Sequence, residues 1–205
     1  MGKQVVLIGY SGHAHVAYDI LKGMQRDVIG YYDNEKKSHN PYNLKYFGKT
    51  RTEDIFDYLR FYDYFVSIGN NKDRRELSIA LNHFANPLTI IHPSAVVSPS
   101  ADLGNGVFMA PGATANAFSV IEDGVICNTS SVIEHNCHVG SFSHLAPGAI
   151  LCGNVTVGKN VFIGANAVIK EGITIGDDVT IGAGTVVIKD ISAEKKVVGN
   201  PQMEI

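Results

Sequence analysis

From Ile91 to Val187 an aliphatic or small residue recurs every six positions, seventeen times without an insertion. The series runs Ile91, Val97, Leu103, Met109, Ala115, Ile121, Cys127, Ile133, Val139, Leu145, Leu151, Val157, Ile163, Ile169, Ile175, Ile181, Val187. Four residues after each stands something small or branched, such as Ala95, Val107, Ser131, Ala149 or Thr185. Six matches neither the helical period nor that of a single strand, and hexapeptide repetition is a signature of the parallel β-helix. If each hexad makes one short strand and a turn, three hexads close a triangular coil. Residues eighteen apart then stack at about 4.8 Å. The sequence can be held to that demand. The three inward columns start at Ile91, Val97 and Leu103, and each stays apolar to its last member.

Glycine often follows the inward residue (Gly104, Gly140, Gly158, Gly164, Gly176, Gly182), with Asn or Asp close behind, and both suit turns of unusual backbone angle. A β-sandwich would show turn signals every 8–12 residues instead. Parallel crossovers are normally right-handed. The repeated Ile-Gly-x-x-Val/Ala-x pattern, however, resembles the hexapeptide acyltransferases, and that resemblance implies left-handed coils. The ending Val197-Val198-Gly199-Asn200-Pro201 is similar to the closing motif of their acetyl-CoA-dependent members.

Before the repeat the pattern becomes strand–helix alternation. Gln4 to Ile8 reads as a strand ending in Gly9-Tyr10-Ser11-Gly12-His13-Ala14, followed by a helix through Val16, Ile20 and Leu21. Val28 to Tyr32 is a second strand, ending at Asp33. Tyr64 to Ile68 is a third, ending at Gly69-Asn70-Asn71-Lys72. A helix with Leu77, Ala80, Leu81 and Phe84 comes next, and Leu88 to Ile91 returns as a strand into the first coil. The expected architecture is therefore a small Rossmann-like α/β domain over residues 1–90, then an all-β left-handed parallel β-helix over 91–205.

In parallel sheets ligands sit beyond the carboxyl ends of the strands. Three loops meet there, which makes Ser11, Gly12, His13, Asp33, Asn34 and Gly69 candidate substrate-binding residues. The first loop is an incomplete dinucleotide fingerprint, with Gly9 and Gly12 but no third glycine. Its N–H groups at a helix start still suit a phosphate, and Asp33 suits a ribose or base. The expected ligand is a nucleotide or nucleotide sugar.

Net charge is −3, with mixed signs, which gives no nucleic-acid or anionic-membrane surface. The apolar stretch Val5 to Ile8 is too short for a leader or a membrane span. Three cysteines, an odd count without metal-type spacing, fit a reducing cytoplasm. Cys127 and Cys137 fall on core positions of the repeat.

Three of the eight histidines, His135, His138 and His144, crowd the middle of the repeat. The other five (His13, His15, His39, His83, His92) fall on the glycine loop, on helix or loop positions, or at the opening of the first coil. His135 lies two places after inward Ile133, at an outward corner between the column neighbours Ala117 and Gly153. Open space beside an imidazole suits a general base. A zinc site is the rival reading, but His138 and His144 are six apart and belong to adjacent prism faces. No metal is expected.

Asn128-Thr129-Ser130-Ser131-Val132-Ile133-Glu134-His135, followed by Phe142-Ser143-His144, resembles one branch of that superfamily. The branch comprises bacterial UDP-4-amino-sugar N-acetyltransferases and the related sialic acid O-acetyltransferase family, and the resemblance covers nearly the whole chain. It implies His135 as general base, Asn128 on the substrate, His144 near the acetyl-CoA thioester and the Gly153 N–H as oxyanion donor. It also implies Ala165 and Ala183 as backbone contacts along the coenzyme. The closest members carry Glu after the base. Here the residue is Asn136, which can orient an imidazole but cannot supply negative charge to imidazolium.

The expected activity is acetyl-CoA-dependent N-acetylation of the 4-amino group of a UDP-linked amino-deoxy sugar, by direct transfer. A convex prism offers no deep cleft, so the expectation includes a homotrimer with active sites between subunits. The alternatives are O-acetylation of a sialic acid, N-acetylation of a GDP-amino sugar, and a non-enzymatic β-helix for assembly or regulation.

Overall fold

The structure, a computed structural model, describes residues 3–50, 54–82 and 86–205. The chain begins with β1 (Val5–Ile8), α1 (Gly12–Gly23), β2 (Val28–Tyr32), β3 (Lys45–Gly48), α2 (Asp54–Leu59), β4 (Asp63–Val66) and α3 (Asn71–Leu81). Its four strands form one parallel sheet in the order β3-β2-β1-β4. The Val-Val-Leu-Ile run of β1 is central and fully buried, as expected for a strand covered on both faces. Helix α1 buries Ala14, Ala17, Ile20 and Leu21. Val16, expected on that apolar stripe, is 37% exposed and lies off it.

Strand β4 stops at Val66, short of the expected Ile68. The Ser67 hydroxyl donates to the Gly9 carbonyl at 2.6 Å, which knots the ends of β1 and β4 together and leaves Ile68 and Gly69 free to turn. The strand expected from Leu88 contracts to Ile90–Ile91. His83 and Phe84 lie outside the described residues. Strand β3 and helix α2 have no counterpart in the sequence reading.

Seventeen two-residue strands follow, from β5 (Ile90–Ile91) to β21 (Val186–Val187). They stack in three parallel sheets with partners eighteen apart, as in Ile126↔His144 and Val132↔Ile150. The coil is a left-handed β-helix. From Met109 down the inward columns are buried, while Ile91, Val97 and Leu103 of the first coil are only partly covered. The far end is closed by a bridge from Ile175 to Ile191 and by β22 (Lys196–Val198), against which β23 (Met203–Glu204) pairs antiparallel.

The turn glycines do a different job from the one expected. From Leu103 to Ile181, left-handed φ falls on the third residue after each inward position, at Asn136, Asn154, Asn160, Asn166 or Gly148, for example. Gly140 and Gly164 sit directly after the inward residue and have no such angle. A Cβ at Gly140 would lie 2.6 Å from the Gly158 backbone, so glycine there permits close stacking of coils.

The α/β part rests on the outer face of the sheet that begins with β5. Ile90, Phe108, Ala110 and Ile126 pack into one core with Tyr10, Ala14, Ala17 and Leu21. Arg74 of α3, 1% exposed, fastens the junction. Its Nε donates to Gly124 O at 2.8 Å and its Nη2 to Phe142 O at 2.7 Å, while Nη1 reaches Gly69 O at 3.0 Å.

Candidate active site

His135 stands on the corner between β12 (Val132–Ile133) and β13 (His138–Val139). Its Nδ1 lies 3.1 Å from Asn136 Oδ1. An amide oxygen only accepts, so in the neutral ring Nδ1 carries the proton and Nε2 the lone pair. The ring lies over Gly153: a Cβ there would sit 2.5 Å from Cε1 and 2.6 Å from Nε2 of His135. Asn136 takes a left-handed φ of 59°, which asparagine tolerates well. Among the described residues His135 has no ion pair with a carboxylate. Glu122 pairs with His138 at 3.0 Å, and it accepts the Ser141 hydroxyl and N–H, which hold its carboxyl below the ordinary range.

The backbone N–H groups of Gly153, Ala165 and Ala183 make no hydrogen bond among the described residues. They occupy the same outward turn position in their hexads, with Ala165 and Ala183 eighteen apart. They are free donors along the side of the prism.

His144 lies on β14 (His144–Leu145), which stacks on β11 (Ile126–Cys127) under the α/β part. The Asn128 amide nitrogen is 3.1 Å from its Nε2, so the amide donates and the ring proton is on Nδ1. Burial, reinforced by the Arg74 cation, pushes His144 down to about 4, with the Gly69 carbonyl pulling the other way. His13, expected in the strand-end pocket, turns into this junction and packs on Phe108 at 4.4 Å between ring centroids. Burial, then His144 and Arg74, push it down to about 3. Both imidazoles are neutral, and His13 Nε2 is buried without a partner among the described residues.

His135 and His144 do not meet within one chain. The corner from β12 to β13 joins two of the three sheets and therefore faces away from the third, which carries His144.

At the carboxyl ends of β1, β2 and β4, a cavity of about 290 Å³ is lined by Ser11, Asp33, Asn34, Thr50 and Gly69, among others. Asp33 braces it by accepting the Tyr10 N–H at 2.8 Å and pairing with Lys37 at 3.2 Å. A Cβ at Gly12 would meet nothing within 4 Å, so the start of α1 is open to a ligand. A larger cleft of about 780 Å³ continues from Gly69 and Asn70 past Lys72 and Arg75 to Phe162 and Thr180.

Among the described residues no group of three or more His, Cys, Asp or Glu is arranged to hold a metal. Cys127 is buried and its thiol is pushed up to about 12. Burial also raises Cys137 and Cys152.

Sequence reasoning missed Arg74, although its signal was present. It lies on the stripe of Leu77, Ser78 and Leu81, where a solvated arginine does not belong. The pairing of Glu122 with His138 was equally invisible, since it joins residues of successive coils.

A left-handed β-helix with unpaired turn N–H groups along its side, and an imidazole over one of them, has the build of an acyltransferase of the hexapeptide-repeat class. Residues 4–81 match the PglD N-terminal domain family, and residues 154–189 match the hexapeptide repeat of succinyl-transferase. The acetyltransferase domain of PglB from Neisseria gonorrhoeae FA1090, also solved with acetyl coenzyme A, is 31% identical. That match covers all of both chains with a TM-score of 0.93. PerB from Caulobacter crescentus, in complex with CoA and GDP-perosamine, is 35% identical over 98% of this chain and 97% of its own, with a TM-score of 0.91. GDP-perosamine N-acetyltransferase of Escherichia coli O157:H7 is 36% identical over 106 residues, and the match spans about half its length (48%). The chain belongs to the hexapeptide-repeat sugar N-acetyltransferases that carry a PglD-type N-terminal domain.

Proposed function

We propose that this protein transfers the acetyl group of acetyl-CoA to the 4-amino group of a nucleotide-linked amino-deoxy sugar, with His135 as general base. The observation that carries this reading is the His135 ring, held at Nδ1 by Asn136 with its Nε2 lone pair beside Gly153. Acetyl-CoA supplies the activated thioester. The Gly153 N–H is free to donate to the thioester oxygen as negative charge develops there, a donor class worth about 2.7–4 kcal/mol. His135 Nε2 takes the proton released by the attacking amine, which typically contributes roughly 10²–10⁴-fold. Ala165 and Ala183 offer N–H groups to the coenzyme arm. With all three thiols held protonated, direct transfer is favoured over an acyl-cysteine.

The strand-end cavity with Ser11, Gly12, Asp33, Asn34 and Gly69 takes the nucleotide. UDP is the first reading. GDP is the second, favoured by the GDP-perosamine named for two relatives. His13, Asn128 and His144 flank the reacting groups. Because the His135 corner faces away from the His144 sheet, the complete site needs a neighbouring copy, and we read the working form as a cytoplasmic homotrimer.

The test follows CoA thiol release with a panel of UDP- and GDP-linked 4-amino sugars and a sialic acid, alongside light scattering. Turnover with a nucleotide amino sugar by a trimer is expected. No release above hydrolysis from any amino sugar overturns the activity, and an active monomer overturns the shared site.

A further inference from the structure

Left-handed φ recurs at the third residue after the inward position, where Gly, Asn, Asp or Ser usually stands. Two turns hold phenylalanine instead, Phe118 at φ 59° and Phe142 at φ 61°. A bulky side chain in that region is strained. Phe142 has a reason inside the chain: its side chain is buried, packed against Gly124, and its carbonyl takes the Arg74 guanidinium. Phe118 has none, because its side chain is 66% exposed. Strain retained at an exposed position points to a use outside the chain.

The place is informative. The Asn136 N–H donates to Ala117 O at 3.0 Å, so the Phe118 turn stacks directly on the turn that carries His135. The His135 ring lies toward Gly153 in the following coil, and the free N–H groups of Ala165 and Ala183 lie farther in that direction. With the acyl donor on that side, the side of Ala117 and Phe118 is left for an attacking amine.

We infer that Phe118 is a specificity-determining residue whose ring forms the apolar wall against which the acceptor sugar stacks as its amine meets His135. This rests on the acetyl-transfer reading above. A deoxy sugar presents a face rich in C–H bonds, which suits the electron-rich face of an aromatic ring. Val120, 39% exposed, lies two residues along on the same surface.

Phe118→Asn gives the turn the residue found at Asn136 and Asn154, so it relieves strain instead of adding it. Steady-state kinetics are measured for wild type, Phe118→Asn and Phe118→Tyr, with each substrate varied in turn, and light scattering reports assembly. Phe118→Asn is expected to raise the acceptor KM at least about threefold, with the acetyl-CoA KM unchanged and the oligomer intact. Phe118→Tyr is expected to restore the acceptor KM. A smaller rise, or dissociation of the oligomer by Phe118→Asn, overturns the inference. A wild type inactive on every amino sugar defeats the acetyl-transfer reading itself, a result distinct from an active wild type whose variant keeps its acceptor KM.

Discussion

Replacing Arg74 with methionine keeps a flexible buried stem and removes the guanidinium donors that fasten α3 to the β-helix, leaving the Asn71 amide, which donates to Asn160 O and Val161 O. Gly124 O and Phe142 O accept from no other group among the described residues, so both carbonyls are left buried and unpaired. At about 1–3 kcal/mol each, the loss is about 2–6 kcal/mol. Part of it is offset, because burial pushes the guanidinium down to about 9 and removing a desolvated cation is favourable. A net loss of about 3 kcal/mol corresponds, for a chain of this size, to a melting midpoint lowered by roughly 6–12 °C. Differential scanning calorimetry measures it, with the exposed neighbour Arg75→Met as the control. If Arg74→Met melts within a degree or two of wild type, the guanidinium is not what holds the two parts together.

His135→Ala is expected to lower turnover at least about 10²-fold with both ligands still bound by calorimetry; retention of more than a tenth of the activity would remove it as the base. Asn136→Glu is expected to move the limb of the pH–rate profile governed by the base to higher pH, because a carboxylate stabilises imidazolium. An unmoved limb would mean that a carboxylate from another subunit already serves His135. Gly153→Ala would drive a methyl to within 2.6 Å of His135 Nε2 and displace the ring, so kcat is expected to fall at least about tenfold with little change in melting temperature. Stability is expected to fall in acid: unfolded histidines titrate near about 6.5, whereas His13 and His144 titrate near about 3 and about 4 in the native chain. The unfolded chain therefore holds more protons between those limits, so this stability is complete above about pH 6.5 and is lost as pH falls toward 3. Urea titrations of wild type and His13→Phe at pH 7 and 4.5 should show a smaller acid loss in the variant, and equal losses would assign the effect elsewhere.

The hexads were legible because each inward residue repeats one physical demand, burial within a coil, and each is covered by the same neighbours eighteen residues away. The α/β part was legible where strands are central, as in Val5–Ile8, and illegible at its margins. Strand β3 is an edge strand of Lys-Tyr-Phe-Gly with no buried residue, and α2 has only six residues, too few for a periodic signal. The corner of His135 over Gly153 could be counted out from the repeat. The junction of His13, Arg74 and His144 could not, since it depends on how two separately patterned halves pack, and no local period encodes that. The turn glycines show the remaining gap: composition marked where backbone was unusual but not whether angle or proximity demanded it.

The threefold coil makes insertion and deletion a test that separates folding from chemistry. Every hexad satisfies the same inward requirement, so loss of six residues between Ile121 and Ile133 would leave all three columns apolar. The loss would, however, swing everything downstream through roughly a third of a turn, carrying the His135 corner onto a different side of the prism from the one set by α3. Eighteen residues could be lost or gained with the corner restored to its side, shifted only by one storey of about 4.8 Å. The lineage of such a chain is thus free to change length in whole storeys, whereas an odd hexad keeps the coil's core, turns the His135 corner to another side and parts Phe142 from Arg74.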